Sequence, residues 1–384
     1  MLFAGIIILN DFNAPAAYFA SEEYIQIIEI LKRMRHIKNI AIISLLLTAV
    51  LLNINCSPQK AASKSAGKLP GSISSGIHNK SFKPGERWFD DKGEIINAHG
   101  GGILFSDNKY YWFGEKRGRR EQEGVNVYSS NDLYNWKFEA LALSPGEDTT
   151  SDIARGCLME RPKVIYNSHT KKYVMWFHLE LRKQGYKAAR AAVAQSDNIT
   201  GPYKYISGFR PNGNMSRDMN LFVDDDGTAY HIYSSRENYD LRISKLTEDF
   251  LFPTTEDTML FSKHREAPAL FKYKDQYYLI TSAATGWAPN KATLHVAPTL
   301  FGPWKLSEEN PMVGANADST FGGQSTYVFP VPGKKNAFIF IADKWNPKDL
   351  KDSRYLWLPI QFKNDLPFIK WKDQWSLNDF ETGK

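Results

Sequence analysis

Apolar residues in this chain fall in short runs without helical spacing, and the runs come in pairs. At 265–280 (REAPALFKYKDQYYLI) an acidic residue precedes an apolar run, a polar turn and a second run rich in aromatics. Such content predicts two antiparallel strands joined by a turn. The layout returns at 99–115 (HGGGILFSDNKYYWFGE), 160–178 (ERPKVIYNSHTKKYVMWFH), 217–235 (RDMNLFVDDDGTAYHIYSS) and 324–343 (QSTYVFPVPGKKNAFIFIAD). Counted from His99, Glu160, Arg217, Glu266 and Gln324, the steps are 61, 57, 49 and 58 residues. A repeat of about 50 residues built from short strands marks propeller blades or related arrays.

Each hairpin is followed by further strand-like residues, at 125–139, 191–206, 241–253, 292–306 and 353–371. Hairpin plus outer run supplies four strands per unit, so the expected fold is all-β, a five-bladed β-propeller. Three outer runs share a turn chemistry: Ser129-Ser130-Asn131-Asp132 before Trp136, Gly201-Pro202 before Tyr203, and Gly302-Pro303 before Trp304. Each turn is expected to throw its aromatic onto the neighbouring blade.

The amino-terminal segment follows another logic. Arg35, His36 and Lys38 precede a 15-residue apolar stretch, 40–54, and then Cys56. A bilayer-spanning helix needs roughly 20 residues, so this is expected to be a cleaved export signal with Met34 as the true start. The 51–56 segment resembles a bacterial lipoprotein signal, whose cysteine is lipidated after cleavage, although Asn55 is not the small residue usual before it. An ordinary secretory signal is the alternative. Residues 56–80, rich in Ser, Lys, Ala, Gly and Pro, are expected to be a tether. Residues 81–384 are expected to form one propeller domain, exported and membrane-anchored at most through lipid on Cys56. With Cys157 the only other cysteine, an internal disulfide is not expected if Cys56 is acylated.

The net charge is +6, residues 1–55 contribute nothing to it, and no Lys/Arg cluster argues for nucleic acid. The domain is rich in aromatics, the full chain holding 10 Trp, 19 Tyr and 23 Phe. A monomer is expected.

In a propeller the innermost strands line the axis, so residues at their starts converge on one mouth of the channel. Those positions are His99, Glu160, Asp218, Glu266 and Gln324, with Arg161, Arg217 and Arg265 beside them. The plainer alternatives are a surface Glu160/Arg161 pair, a turn-capping Asp218 and a solvated Glu266. Pro268 fixes the backbone after Glu266 and disfavours helix at Ala267. Asp224-Asp225-Asp226-Gly227 suits a hairpin turn better than a metal site. Gly100, Gly101 and Gly102 suit close approach of backbone to a neighbour or a ligand. No spacing of His99, His231 and His264 matches a zinc site, so no cofactor is expected, and a structural ion on the axis is left open. Trp112, Trp176, Trp287 and Trp345 are each candidates for a sugar face or for the core. Trp287 and Trp345 carry more weight for the sugar because they follow hairpin ends.

These motifs together are similar to those of family 43 glycoside hydrolases over nearly the whole domain. The carrying residues are Arg217-Asp218, the run 222–230 (FVDDDGTAY) and Glu266-Ala267-Pro268. The segments 98–102 (AHGGG), 110–115 (YYWFGE), 159–164 (MERPKV) and 216–219 (SRDM) most resemble the exo-β-1,3-galactanase branch. The resemblance implies inverting hydrolysis, with Glu266 as general acid and Asp218 tuning and orienting it. It also implies a base across the sugar, roughly 6.5 to 9.5 Å from the acid. The family's usual base, an aspartate at the first-blade entry, is replaced by Asn97-Ala98-His99-Gly100. By resemblance Gln324 positions the water, and Glu115 contacts substrate and is the second candidate for base. Glu160, Arg161, Arg217, Arg265, His99, Gly101, Trp287 and Trp345 complete the expected sugar contacts. The expected partner is an oligo- or polysaccharide, first a β-1,3-galactan. Arabinofuranoside or xyloside hydrolysis by the same fold and non-catalytic sugar binding are the alternatives.

Overall fold

A computed structural model describes residues 78–118 and 123–380. The expected signal, Cys56 and the tether up to residue 77 lie outside the described residues.

Five antiparallel sheets follow one another along the chain. The first holds β1 (His99–Ser106), β2 (Lys109–Lys116), β3 (Gly124–Ser130) and β4 (Lys137–Leu143), the second β5 (Leu158–Asn167), β6 (Lys172–Glu180), β7 (Arg190–Ser196) and β8 (Lys204–Phe209). The third holds β9 (Met219–Val223), β10 (Ala229–Ser235), β11 (Asp240–Leu246) and β12 (Pro253–Ser262), the fourth β13 (Arg265–Tyr273), β14 (Gln276–Ala283), β15 (Thr293–Ala297) and β16 (Lys305–Leu306). In the fifth, β18 (Gln324–Pro330), β19 (Phe338–Lys344), β20 (Arg354–Lys363) and β21 (Leu366–Lys370) are joined by β17 (Met312–Val313), parallel to β21. The inner strands β1, β5, β9, β13 and β18 touch in turn, and β18 returns to β1. The ring is a five-bladed β-propeller. Its helical pieces among the described residues are single 3-10 turns.

The outer strands depart from the expected boundaries. β4 runs to Leu143, and β12 begins where the third outer run was expected to end. The reason is visible in β12, PTTEDTMLFS, which buries no residue and so carries no apolar alternation. The fifth blade gains β17, two residues too short to leave a pattern. The Asp224–Gly227 segment is a turn: Gly227 N–H donates to Asp224 C=O at 2.9 Å, with Gly227 at φ +84°. The Asp224 carboxylate then accepts from Lys272 Nζ (2.9 Å) and Tyr277 Oη (2.5 Å) of the fourth blade.

The first and last blades exchange no strand, so side chains close the ring. Trp112 and Trp136 of the first blade meet Trp357 of the fifth edge-on, with centroids 4.8 and 5.9 Å apart, and Trp112 meets Tyr355 at 4.6 Å. Phe82 joins this cluster and pairs its backbone with Trp375, by N–H to C=O bonds of 2.8 and 3.1 Å in the two directions. Trp112 is thus core, and so is Trp176, whose indole N–H donates to Phe250 C=O at 2.8 Å. Of the turn aromatics, Tyr203 meets Phe113 of the first blade at 6.0 Å, as expected of it.

Because Trp357 is fully buried in this seam, Trp357→Ala is expected to cost about 3–5 kcal/mol. Urea unfolding measures the cost; a loss near zero would mean that the seam does not close the ring.

Candidate active site

Four of the five inner strands begin in the same way. The first residue of the motif pairs across the hairpin, and a β-bulge follows, at once in three blades and after Ser325 in the fifth. The pairs are His99 with Glu115, Glu160 with His178, Glu266 with Ser282 and Gln324 with Asp343. Register shifts follow at Gly102, Lys163, Ala269 and Tyr327. A bulge adds a residue to one strand and re-aims the side chains beside it. The residue after the pair is left-handed in three blades: Gly100 (φ +58°), Arg161 (+55°) and Ala267 (+54°). At Gly100 a Cβ would lie 2.1 Å from Glu115 Oε1, so any side chain there would displace that carboxylate from the Arg161 N–H. Ala267 is held because its C=O accepts from Ser325 Oγ at 2.6 Å.

These bulges surround a hollow of about 400 Å³, lined among others by Glu115, Glu160, Arg161, Asp218, Glu266 and Gln324. Its centre is the Arg161 guanidinium, 5 % exposed. Nη2 meets Asp218 Oδ2 at 2.9 Å and donates to Gln324 Oε1 at 2.5 Å, while Nη1 donates to Ser325 C=O at 3.0 Å. Gln324 Oε1 also accepts from Trp345 Nε1 at 2.9 Å. Both donors lack acceptor capacity, so the oxygen of this amide is fixed and its nitrogen must face the other way. Gln324 Nε2 donates to Glu266 Oε1 at 2.8 Å and to Ser282 Oγ at 3.1 Å. Asn238 Nδ2 donates to Glu266 Oε2 at 2.8 Å. Burial, and then the negative charge of Asp218, push the Glu266 carboxyl up to about 8. Each Glu266 oxygen thus accepts from an amide N–H, and the carboxyl lines the hollow.

The other carboxylates divide around Arg117. Glu160 Oε1 accepts from Arg117 Nη2 and from Tyr186 Oη, both at 2.8 Å, and Oε2 lies 3.2 Å from His178 Nδ1. Burial alone would raise Glu160, but Arg117 and His178 outweigh it and hold the group ionised well below the usual range. His178 is clamped between Glu160 and Glu180, whose charges overcome burial and lift it to about 9. Glu115 accepts from the Arg161 N–H at 2.7 Å and pairs with Arg117. Burial dominates there and raises its pKa.

Lys163, 2 % exposed, joins the first two inner strands: its Nζ donates to Gly100 C=O at 2.8 Å and Arg161 C=O at 3.3 Å. Burial, then Arg161, lower its pKa to about 7.

Three expected contacts do not face the hollow. His99 is fully buried; its ring stacks on Tyr355 (5.0 Å) and its Nδ1 pairs with Asp343 Oδ1 (3.1 Å), so it braces the first blade against the fifth. Gly101 allows strand contact, since a Cβ would lie 1.8 Å from Phe113 C=O. Arg265 turns along its own blade, donating to Thr281 Oγ1 (3.1 Å) and to the carbonyls of Thr281 and Lys291. Nor does Gln324 stand across a sugar's width from Glu266, since the two are hydrogen-bonded.

The model of the glycosyl hydrolases family 43 matches residues 102–355. The chain belongs to that family. This family 43 glycosidase superposes with a TM-score of 0.75 on a β-1,3-galactosidase solved with galactodeoxynojirimycin, at 48 % identity, covering 77 % of this chain and 100 % of that one. An exo-β-1,3-galactanase from Phanerochaete chrysosporium, solved with β-1,3-galactotriose, gives a TM-score of 0.73 at 35 % identity, covering 79 % of this chain and 70 % of that one. A xylan 1,3-β-xylosidase from Vibrio sp. is 28 % identical over 209 residues, 50 % of this chain, which spans 37 % of that protein's length.

The hollow of this hydrolase is also lined by Arg117, His178, Tyr186, Glu237, Asn238 and His264, none of them expected from the sequence. His178 was within reach: it ends the hairpin that Glu160 begins, and pairing those ends puts it opposite the acid. Arg117 was hidden in the charged run 115–121, and Asn238 and Glu237 come from a loop outside the repeat.

If Asp218 helps to hold the Glu266 proton, Asp218→Asn lowers the Glu266 pKa by about 1 unit. Carbon-13 NMR of labelled glutamate reads the shift; an unchanged titration would assign the whole effect to burial.

Proposed function

We propose that this glycosidase releases galactose from β-1,3-galactan, of the arabinogalactan type, with inversion at the anomeric carbon. The observation that carries the reading is the Glu266 carboxyl, pushed up to about 8 by burial and Asp218, with both oxygens held by amide donors at the wall of a hollow also lined by Trp287 and Trp345. Such a group protonates the leaving oxygen as general acid. Asp218 raises it and, through Arg161, fixes its surroundings. Identity of 48 % and 35 % to proteins named for β-1,3-galactoside cleavage supports galactose as the sugar.

The water side falls to Gln324 and Glu115. Both acceptor and both donor positions of Gln324 are engaged, so a water must displace one of them to be oriented there. Glu115 has the chemistry to take the water's proton, and burial raises its pKa. Glu160, kept ionised by Arg117 and His178, is an acceptor for sugar hydroxyls, and Arg217 Nε and Asn238 Oδ1 have no hydrogen-bond partner among the described residues. Unpaired buried groups at a pocket wall are what a polyhydroxylated ligand satisfies. The proposal calls on no cofactor and includes export through the 34–56 segment.

The Vibrio relative favours a second reading, hydrolysis of a β-1,3-xylan. Incubating the chain with β-1,3-galactan, β-1,3-xylan and arabinoxylan, with chromatography of the products, separates the two. Galactose is expected, with activity falling about 10²-fold or more in Glu266→Gln and along an upper pH limb near 8 in the wild type. Xylose without galactose would replace the first reading with the second.

A further inference from the structure

The reaction needs a place for the sugar that leaves, and the acid shows where it must be. The glycone belongs with the buried groups Arg161, Glu160, Glu115 and Gln324. The scissile oxygen sits at Glu266, and the leaving sugar lies beyond it toward solvent. Two exposed lining residues lie beside Glu266 along the chain or through its partner: His264, two residues before it, and Glu237, next to the Asn238 that holds its carboxyl.

His264 is the top of a stack. Its ring lies on Tyr239 with centroids 4.3 Å apart and planes at 13°, and the Arg236 guanidinium lies 5.4 Å from the Tyr239 centroid. One face of the imidazole is therefore covered and backed, while the residue itself lines the hollow. Two loops are bent to hold this arrangement. Arg236, Glu237, Asn238 and His264 have φ of +46°, +52°, +67° and +53°. Four left-handed residues other than glycine persist only where their surroundings over-determine them, and such residues gather at ligand sites. The surroundings here are Arg236, which grips Asp240 by bonds of 2.8 and 2.7 Å, and the N–H groups of Lys263 and His264, which both donate to Tyr239 C=O at 3.0 and 3.1 Å.

We propose that the Arg236–Tyr239–His264 stack is the leaving-group subsite. The free face of the imidazole takes the C–H face of the pyranose on the reducing side of the scissile bond, and the Glu237 carboxylate accepts its hydroxyls. This rests on the hydrolase reading above, and its test is a binding measurement that reads independently of turnover. Calorimetry on the Glu266→Gln chain compares β-1,3-galactobiose with galactose. The disaccharide is expected to bind about tenfold tighter. That preference disappears when His264→Ala is added, shrinks with Tyr239→Ala and is kept with His264→Phe, which preserves a flat ring. Full preference in the His264→Ala chain overturns the proposal, as does no preference in the Glu266→Gln parent; if His264→Ala fails to fold, Tyr239→Ala decides in the same way. A stack-dependent preference in a protein whose wild type releases no galactose would remove the hydrolase reading and leave the subsite standing.

Discussion

A guanidinium at the centre of a closed ring of sheets has lost its water, and the rest of the site is arranged to compensate for that. Desolvating one such charge costs several kcal/mol unless partners replace the solvent. The Arg161 guanidinium finds them on other blades, Asp218 next to the third and Gln324 and Ser325 in the fifth, while Glu115 of the first blade accepts from the Arg161 backbone N–H. Each partner is thereby fixed in direction as well as in charge. Gln324, its oxygen occupied by Arg161 and Trp345, has to turn its nitrogen to Glu266.

The backbone makes this arrangement repeatable. One bulge near the start of an inner strand turns an ordinary hairpin into a bracket that offers a side chain to the axis. The ring needs four such brackets and a plain strand start at Asp218. The bulge explains Gly100 and Ala267, which sit in a conformation that a regular strand would not impose. Closure is separate. The aromatic seam between first and last blades and the Asp343 carboxylate, which accepts from Gly100 N–H and pairs with His99, hold the ring from outside the hollow.

The fold was legible because a propeller repeats its hairpin, and five copies of one pattern outweigh the ambiguity of any copy. Legibility ended where pattern did: β12 begins with mostly polar residues and buries none fully, and β17 is two residues long. For the site, the inner-strand starts gave Glu160, Arg161, Asp218, Glu266 and Gln324, because topology forces those positions toward one mouth. It gave His99, Gly101 and Arg265 as well, since position alone does not say which way a side chain turns once bulged. His99 turned to Asp343 and Tyr355, and Arg265 to Thr281 along its own blade. Residues carried by loops, Asn238 and His264 among them, share no repeat position and so had nothing to mark them.

Lys163 has a consequence for traffic. Its Nζ bridges the first two inner strands, in a place where Gly102 leaves room for its stem, a Cβ there falling 2.7 Å from Lys163 Cδ. On the galactanase reading proposed above, a hollow closed at this point would receive a chain end and not a threaded polymer. The freed monosaccharide would then leave by the entrance it came by, after the remaining polymer had lifted away.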